Sequence, residues 1–134
     1  MSRGPQSTHW CFTVHGHQAI PYEVDIIGLH GIQYIVFQEE LPPSNALHIQ
    51  GYIQFERKVR GTQVTSLIKE LFDSVEGASV HTEAAKGSDE ENEAYCTKEE
   101  TRIPDGGGPY RYGVRVPHAG KKGGRSDLLA VQRK

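Results

Sequence analysis

The stretch QYIVFQEELPPSNALHIQGYIQF, residues 33–55, decides the fold. Gln33 to Glu39 is rich in aromatic and β-branched residues and reads as a strand. Pro42-Pro43-Ser44-Asn45 turns the chain. His48 to Phe55 alternates in character and reads as the return strand, so the two form an antiparallel hairpin with a fairly long loop.

Working outward, Thr8 to Val14 (THWCFTV) reads as a strand ended by His15-Gly16-His17. Pro21 to Leu29 reads as a short helix with Pro at its first position. After the hairpin, Val64, Leu67, Ile68, Leu71 and Phe72 recur at helical spacing, and Thr62 is the expected N-cap. Ala78 to Ala84 reads as another strand. Ser88-Asp89-Glu90-Glu91 then opens a helix with a capping box, expected to run through Asn92, Tyr95 and Lys98. A last strand is expected at Tyr110 to Val116. The order β-α-β-β-α-β-α predicts an α+β fold with a mainly antiparallel central sheet flanked by helices, of the split βαβ or RNA-recognition type. No internal repeat is present. The expected organisation is a disordered start (1–7), one domain (8–116) and a basic, Gly-rich linker (117–134).

The 134 residues match the size of one domain. No stretch approaches the roughly 20 apolar residues that cross a membrane, and Met1 to Ser7 lacks the apolar run of a signal peptide. Cys11 and Cys96 form no CxxC pair and are expected to be free thiols. The net charge of −2 is unevenly spread. Residues 111–134 carry seven Lys/Arg and one acid, which leaves the first 110 at −8. An acidic domain is a poor non-specific binder of nucleic acid. Action on DNA would therefore need a metal ion, the basic tail, or both.

His48 and Gln50 lie two apart on a strand, so both side chains leave one face. Glu39, at the end of the preceding hairpin strand, is expected beside them. Glu40 is an adjacent candidate expected on the opposite face. An imidazole, an amide oxygen and a carboxylate together suit Mg²⁺ or Mn²⁺. Taken alone, a His-x-Gln pair is more often a half-exposed polar strand face. His81 and Glu83 form a similar pair and stand as the alternative metal site.

Tyr95 and Lys98 lie three apart on the expected helix, with Asn92 and Glu91 behind Tyr95. A phenol is a weak nucleophile near neutral pH, and a neighbouring ammonium favours its phenolate. A metal on the target phosphate would make phosphorus more electrophilic. The bland alternative buries Tyr95 against the sheet and leaves Lys98 in solvent.

Together these pieces resemble the HUH endonuclease family. More narrowly, they resemble the origin-nicking domain of replication-associated (Rep) proteins of circular single-stranded DNA viruses, of circovirus or cyclovirus type. Three motifs carry the likeness: Cys11-Phe12-Thr13-Val14-His15-Gly16, Leu47-His48-Ile49-Gln50-Gly51-Tyr52 with Glu39 upstream, and Tyr95-Cys96-Thr97-Lys98 preceded by the segment 81–87. The resemblance implies a single-stranded DNA nuclease and ligase for rolling-circle replication. Tyr95 would be the nucleophile, forming a 5′-phosphotyrosine, with Lys98 steadying the phosphate or phenolate. Glu39, His48 and Gln50 would hold Mg²⁺ or Mn²⁺. Phe12, Thr13, Val14, His15, Tyr52, Lys86 and Asn92 would contact DNA.

It further implies an origin stem-loop nonanucleotide as partner, no membrane, action in the host nucleus, and a mainly monomeric fragment. No Walker A motif occurs, so a helicase domain would lie outside this chain, making it an excised N-terminal domain. Motif one commonly ends in Asn-Asn in the family, where this chain has His15-Gly16. Two rival readings are a passive RNA-recognition-type binder, whose aromatic pair would be Tyr52 and Phe55, and a metal-dependent phosphodiesterase that uses water.

Overall fold

The computed structural model describes residues 4–27, 29–43, 46–73, 79–104 and 106–120. The hairpin is present and longer than expected. Strand β2 spans Ile32–Glu40 and β3 spans His48–Arg60, paired antiparallel. Strand β1 (Gln6–His15) lies on the other side of β3, and β4 (Ser79–Ala84) lies outside β1. Strand β5 (Tyr110–Gly113) closes the far edge against β2. The result is a five-stranded antiparallel sheet in the order β4-β1-β3-β2-β5. β1 takes in Gln6 and Ser7, from the segment expected to be disordered.

Period-two alternation assigns each side chain to a face. Trp10, Phe12, Val14, Ile35, Phe37, Ile49, Ile53 and Phe55 form one face, buried with Val64, Leu67, Ile68 and Phe72. Val64, Leu67 and Ile68 come from α2 (Gly61–Leu71), and Phe72 caps that helix. α2 begins two residues earlier than an N-cap at Thr62 implies. Its N-cap is Arg60, not Thr62, because the Gln63 side chain reaches back to accept the Arg60 backbone N–H at 2.8 Å.

Gly51 explains how the Phe12 ring fits. Glycine leaves the surface of β3 open there, and a Cβ would stand 2.2 Å from the ring.

The opposite face carries a smaller apolar cluster of Tyr34, Val36, Tyr52, Ala85 and Cys96, with Cys11 against it. Cys96 ends α3 (Asp89–Cys96). The expected capping box is there: Ser88 Oγ accepts the Glu91 N–H, and Glu91 accepts the Ser88 N–H. α3 stops at Cys96, short of Lys98. The expected helix after Pro21 is a single turn, α1 (Glu23–Ile26), followed by a 3-10 turn at Leu29–Gly31. The last strand is shorter than expected, and residues 114–120 run on over the α3 side. Gln54 brackets the Val116 backbone with two hydrogen bonds; the His118 N–H donates to Asp89 Oδ1, and the Asp89 N–H donates to the His118 carbonyl. The expected linker 117–134 thus begins with packed residues, and 121–134 lie outside the described residues.

Candidate active site

The polar candidates converge on the α3 face. In the β2–β3 register, Glu40 pairs with His48 and Gln38 with Gln50. Directly paired residues share a face. Glu40, not Glu39, is therefore the carboxylate beside His48, with Oε1 3.3 Å from Nε2. This corrects the expectation for Glu39. β2 runs one residue further than its composition suggests, so Glu39 opposes Ile49 and turns to the other face. There its Oε2 meets His17 Nε2 at 2.8 Å.

Glu40 is 3 % exposed and well satisfied. Oε2 accepts from Lys98 Nζ and Gln38 Nε2, each at 2.9 Å. Burial alone pushes its carboxyl up. The hydrogen bonds from Gln38 and Lys98, with the fields of Lys98 and His48, more than reverse that and hold it below the usual carboxylate range. Gln38 also donates to the Lys98 carbonyl at 2.8 Å. One buried amide thus fixes both the carboxylate and the backbone of the lysine that pairs with it. Gln38 was not anticipated, although it lies two before Glu40 and so shares its face.

The donor set fits a divalent cation. His48 Nδ1 lies 3.1 Å from the Ala46 carbonyl, which can only accept, so Nδ1 carries the proton. When only Nδ1 is protonated, Nε2 presents a lone pair toward Glu40 Oε1, 3.3 Å away. Two acceptors that face each other call for a proton or a cation between them. A backbone carbonyl on the far ring nitrogen is also the usual support of a metal-bound histidine. Gln50 Oε1 accepts from Thr13 Oγ1 at 3.2 Å, which turns the amide oxygen toward the same face. Among the described residues no three His, Cys, Asp or Glu side chains form a ready-made cluster, so a site here depends on the Gln50 amide.

Tyr95 sits in the last turn of α3 and is 55 % exposed, so the buried alternative fails. Although the helix has ended, Lys98 still reaches it, with Nζ 4.2 Å from the ring centroid. The lysine thereby joins the tyrosine to Glu40. Tyr95 also borders a groove of about 370 Å³ whose wall includes Thr13, Gln50, His81, Lys86 and Asn92. His81 and Glu83 stand 3.4 Å apart on the groove's open side, separated from β3 by β1. Both are largely exposed, and they form no cluster with His48 and Glu40.

The expected DNA contacts divide. Thr13, Lys86 and Asn92 reach the groove. His15 lies on the same face as Thr13, opposite His48 in the pairing. The Phe12 and Val14 side chains alternate into the α2-side core at 1 % and 0 % exposure, which removes Phe12 as a stacking ring. Tyr52 is fully buried, its hydroxyl bonded to His9 Nδ1 and Gln54 Nε2. Both cysteines are free thiols. Cys11 donates to Asn92 Oδ1, and burial with the nearby Glu83 pushes its thiol up to about 11.

An antiparallel α+β sheet with a His-x-Gln strand and a helix-borne tyrosine over the same face is the RNA-recognition-like HUH type of domain. The family model described as "Putative viral replication protein" matches residues 7–99. The chain is 35 % identical over 104 residues to a master replication protein of Banana bunchy top virus, covering 78 % of this chain and 30 % of that protein. It is 34 % identical over 110 residues to a para-Rep of Faba bean necrotic yellows C11 alphasatellite, covering 80 % and 36 %. It is 30 % identical over 131 residues to a replication-associated protein of Pigeon circovirus, covering 94 % and 34 %. The chain belongs to this family of viral replication proteins, as a Rep domain of the kind found in single-stranded DNA viruses. It spans about a third of the length of these relatives.

Proposed function

We propose that this domain nicks and rejoins single-stranded origin DNA to start and finish rolling-circle replication, acting in the host nucleus with Tyr95 as nucleophile. The observation that carries the reading is the chain of contacts Tyr95–Lys98–Glu40–His48, which links an exposed phenol to a cation-type donor set. Glu40, His48 and Gln50 would hold Mg²⁺ or Mn²⁺, which when bound supplies a Lewis acid for the scissile phosphate. The Tyr95 oxygen forms the new bond to phosphorus, and the bond to the 3′-oxygen breaks. The phenol gives up one proton and the leaving oxygen takes one up, so the step is balanced and needs no ATP. Religation is the same displacement reversed. Lys98, held by Glu40, favours the phenolate or steadies the phosphate. Thr13, His81 and Lys86 on the groove wall would meet the strand. A helicase segment, where one is joined to this domain, would extend it.

The passive-binder reading loses support, because Tyr52 and Phe55 are 0 % and 5 % exposed and offer no stacking surface. To test the proposal, single-stranded oligonucleotides bearing a viral-type stem-loop nonanucleotide are mixed with the protein, with Mn²⁺ or with EDTA, and run on denaturing gels. The expected result is a Mn²⁺-dependent adduct mapped to Tyr95, absent in Tyr95→Phe while DNA binding survives. Cleavage that persists in Tyr95→Phe without an adduct would assign water as nucleophile.

A further inference from the structure

His15 stands where the family commonly has Asn, and it is next to the proposed ligand set. It pairs with His48 across β1–β3, and His48 pairs with Glu40 across β3–β2. The three side chains therefore form one row on one face, in the order His15, His48, Glu40. The two imidazole centroids are 5.1 Å apart, tilted by 40°. Two imidazoles sharing one ion at metal–nitrogen distances of about 2.1 Å hold their centroids roughly 4.5–5.2 Å apart, from octahedral to tetrahedral ligand angles. Among the described residues the His15 ring makes no hydrogen bond, so neither nitrogen is committed elsewhere.

We infer that His15 is a second nitrogen ligand of the cation, making the site Glu40, His48, Gln50 and His15. The inference rests on the metal-dependent reading above and goes beyond it, since motif one then serves the ion rather than the bases of the DNA. The three His and Glu side chains do not yet converge on one point. His15 is only half-buried, so its ring has room to turn about χ1 and χ2 when an ion arrives. A second imidazole also shifts the preference from Mg²⁺ and Mn²⁺ toward borderline ions such as Co²⁺ or Ni²⁺, because nitrogen donors gain along the series from Mn²⁺ to Ni²⁺.

The test uses the 134-residue chain without DNA. Pulsed EPR of the Mn²⁺-loaded protein counts bound imidazole nitrogens, and calorimetry gives the Co²⁺ affinity. Two nitrogens are expected in the wild type, one in each of His15→Asn and His48→Ala, and none in the double variant. The Co²⁺ affinity of His15→Asn should fall at least about ten-fold, no less than is typical for loss of a residue that only supports a ligand. A single nitrogen in the wild type, with His15→Asn unchanged, overturns the inference while leaving the His48 site standing. A count of two nitrogens that is unchanged in His48→Ala overturns the underlying metal reading as well. The wild-type count does not depend on any variant folding.

Discussion

Lys98 Nζ bonds the buried Glu40 carboxylate at 2.9 Å, from a position beyond the end of α3. The contact ties the chain after the helix to the end of β2, so it serves stability as well as chemistry. Lys98→Met should leave Glu40 with Gln38 and His48 alone and lower stability by about 1–3 kcal/mol, the usual cost of an unsatisfied buried group.

The same pair predicts a pH signature. The folded-state pKa of Glu40 is lowered, so its contribution is full above the unfolded value and is lost as pH falls through the folded one. Without Lys98 that folded pKa rises. The acid-unfolding midpoint of Lys98→Met, followed by circular dichroism, should therefore lie at higher pH than that of wild type. An unchanged midpoint would show that the pair contributes nothing to acid resistance.

The register of the hairpin separates two adjacent carboxylates. Glu40→Gln should abolish His48-dependent Mn²⁺ binding, because the carboxylate facing Nε2 is replaced by a neutral amide. Glu39→Gln should keep Mn²⁺ affinity within about two-fold and instead loosen the contact with His17, costing roughly 1 kcal/mol. Calorimetric titration of both variants decides the matter. Loss of binding in Glu39→Gln alone would restore the carboxylate first expected from the sequence.

That reversal shows what was legible in the sequence and what was not. Alternation in β1 and β3 and helical spacing at Val64, Leu67 and Ile68 were enough to give the sheet and its α2 side, because apolar burial leaves a periodic trace. His48 and Gln50 share one face of β3 because they lie two apart on one strand, whereas Lys98 meets Tyr95 from beyond the end of α3. The carboxylate depended on where β2 ends and how many loop residues separate it from His48. A slip of one residue changes the face, and composition does not fix that count. The expected contacts at Phe12 and Val14 failed similarly. Phe12 and Val14 look available in a motif, yet alternation with Thr13 sends them to the core. Gln38 leaves no sequence signal beyond its parity with Glu40.

Gly51 offers a test of packing beneath the site. Alanine there places a Cβ 2.2 Å from the tip of the Phe12 ring, which is 1 % exposed and backed by Phe72. The ring cannot move without displacing the α2-side core. Gly51→Ala should cost about 1–3 kcal/mol, the range for overpacking, read as a lower urea midpoint with unchanged slope. Phe12→Leu in the same chain should recover part of that loss, since a shorter side chain leaves room for the methyl. No recovery would mean that the strain lies in the backbone of β3.

His9 predicts a second pH effect, at higher pH than Glu40. Its ring lies 3.5 Å, centroid to centroid, from that of His118, and its Nδ1 meets the Tyr52 hydroxyl. Burial first, then the facing His118, push His9 down to about 4, against a partial opposing pull from Asp89. Arg115, bonded to Asp89 Oδ2 at 2.9 Å, tempers that pull. With its folded pKa below the unfolded value near 6.5, the unfolded chain binds the extra proton first. Stability is therefore full above about pH 6.5 and declines as pH falls toward 4. His9→Gln keeps a polar group for Tyr52 and removes the titration, so its urea midpoint should be nearly flat across that window while the wild type slopes. Since His118 belongs to residues 114–120, limited proteolysis should also show those residues cut faster at pH 5 than at pH 7 in wild type, and at equal rates in His9→Gln. A slope that persists in His9→Gln would move the titrating group to another residue.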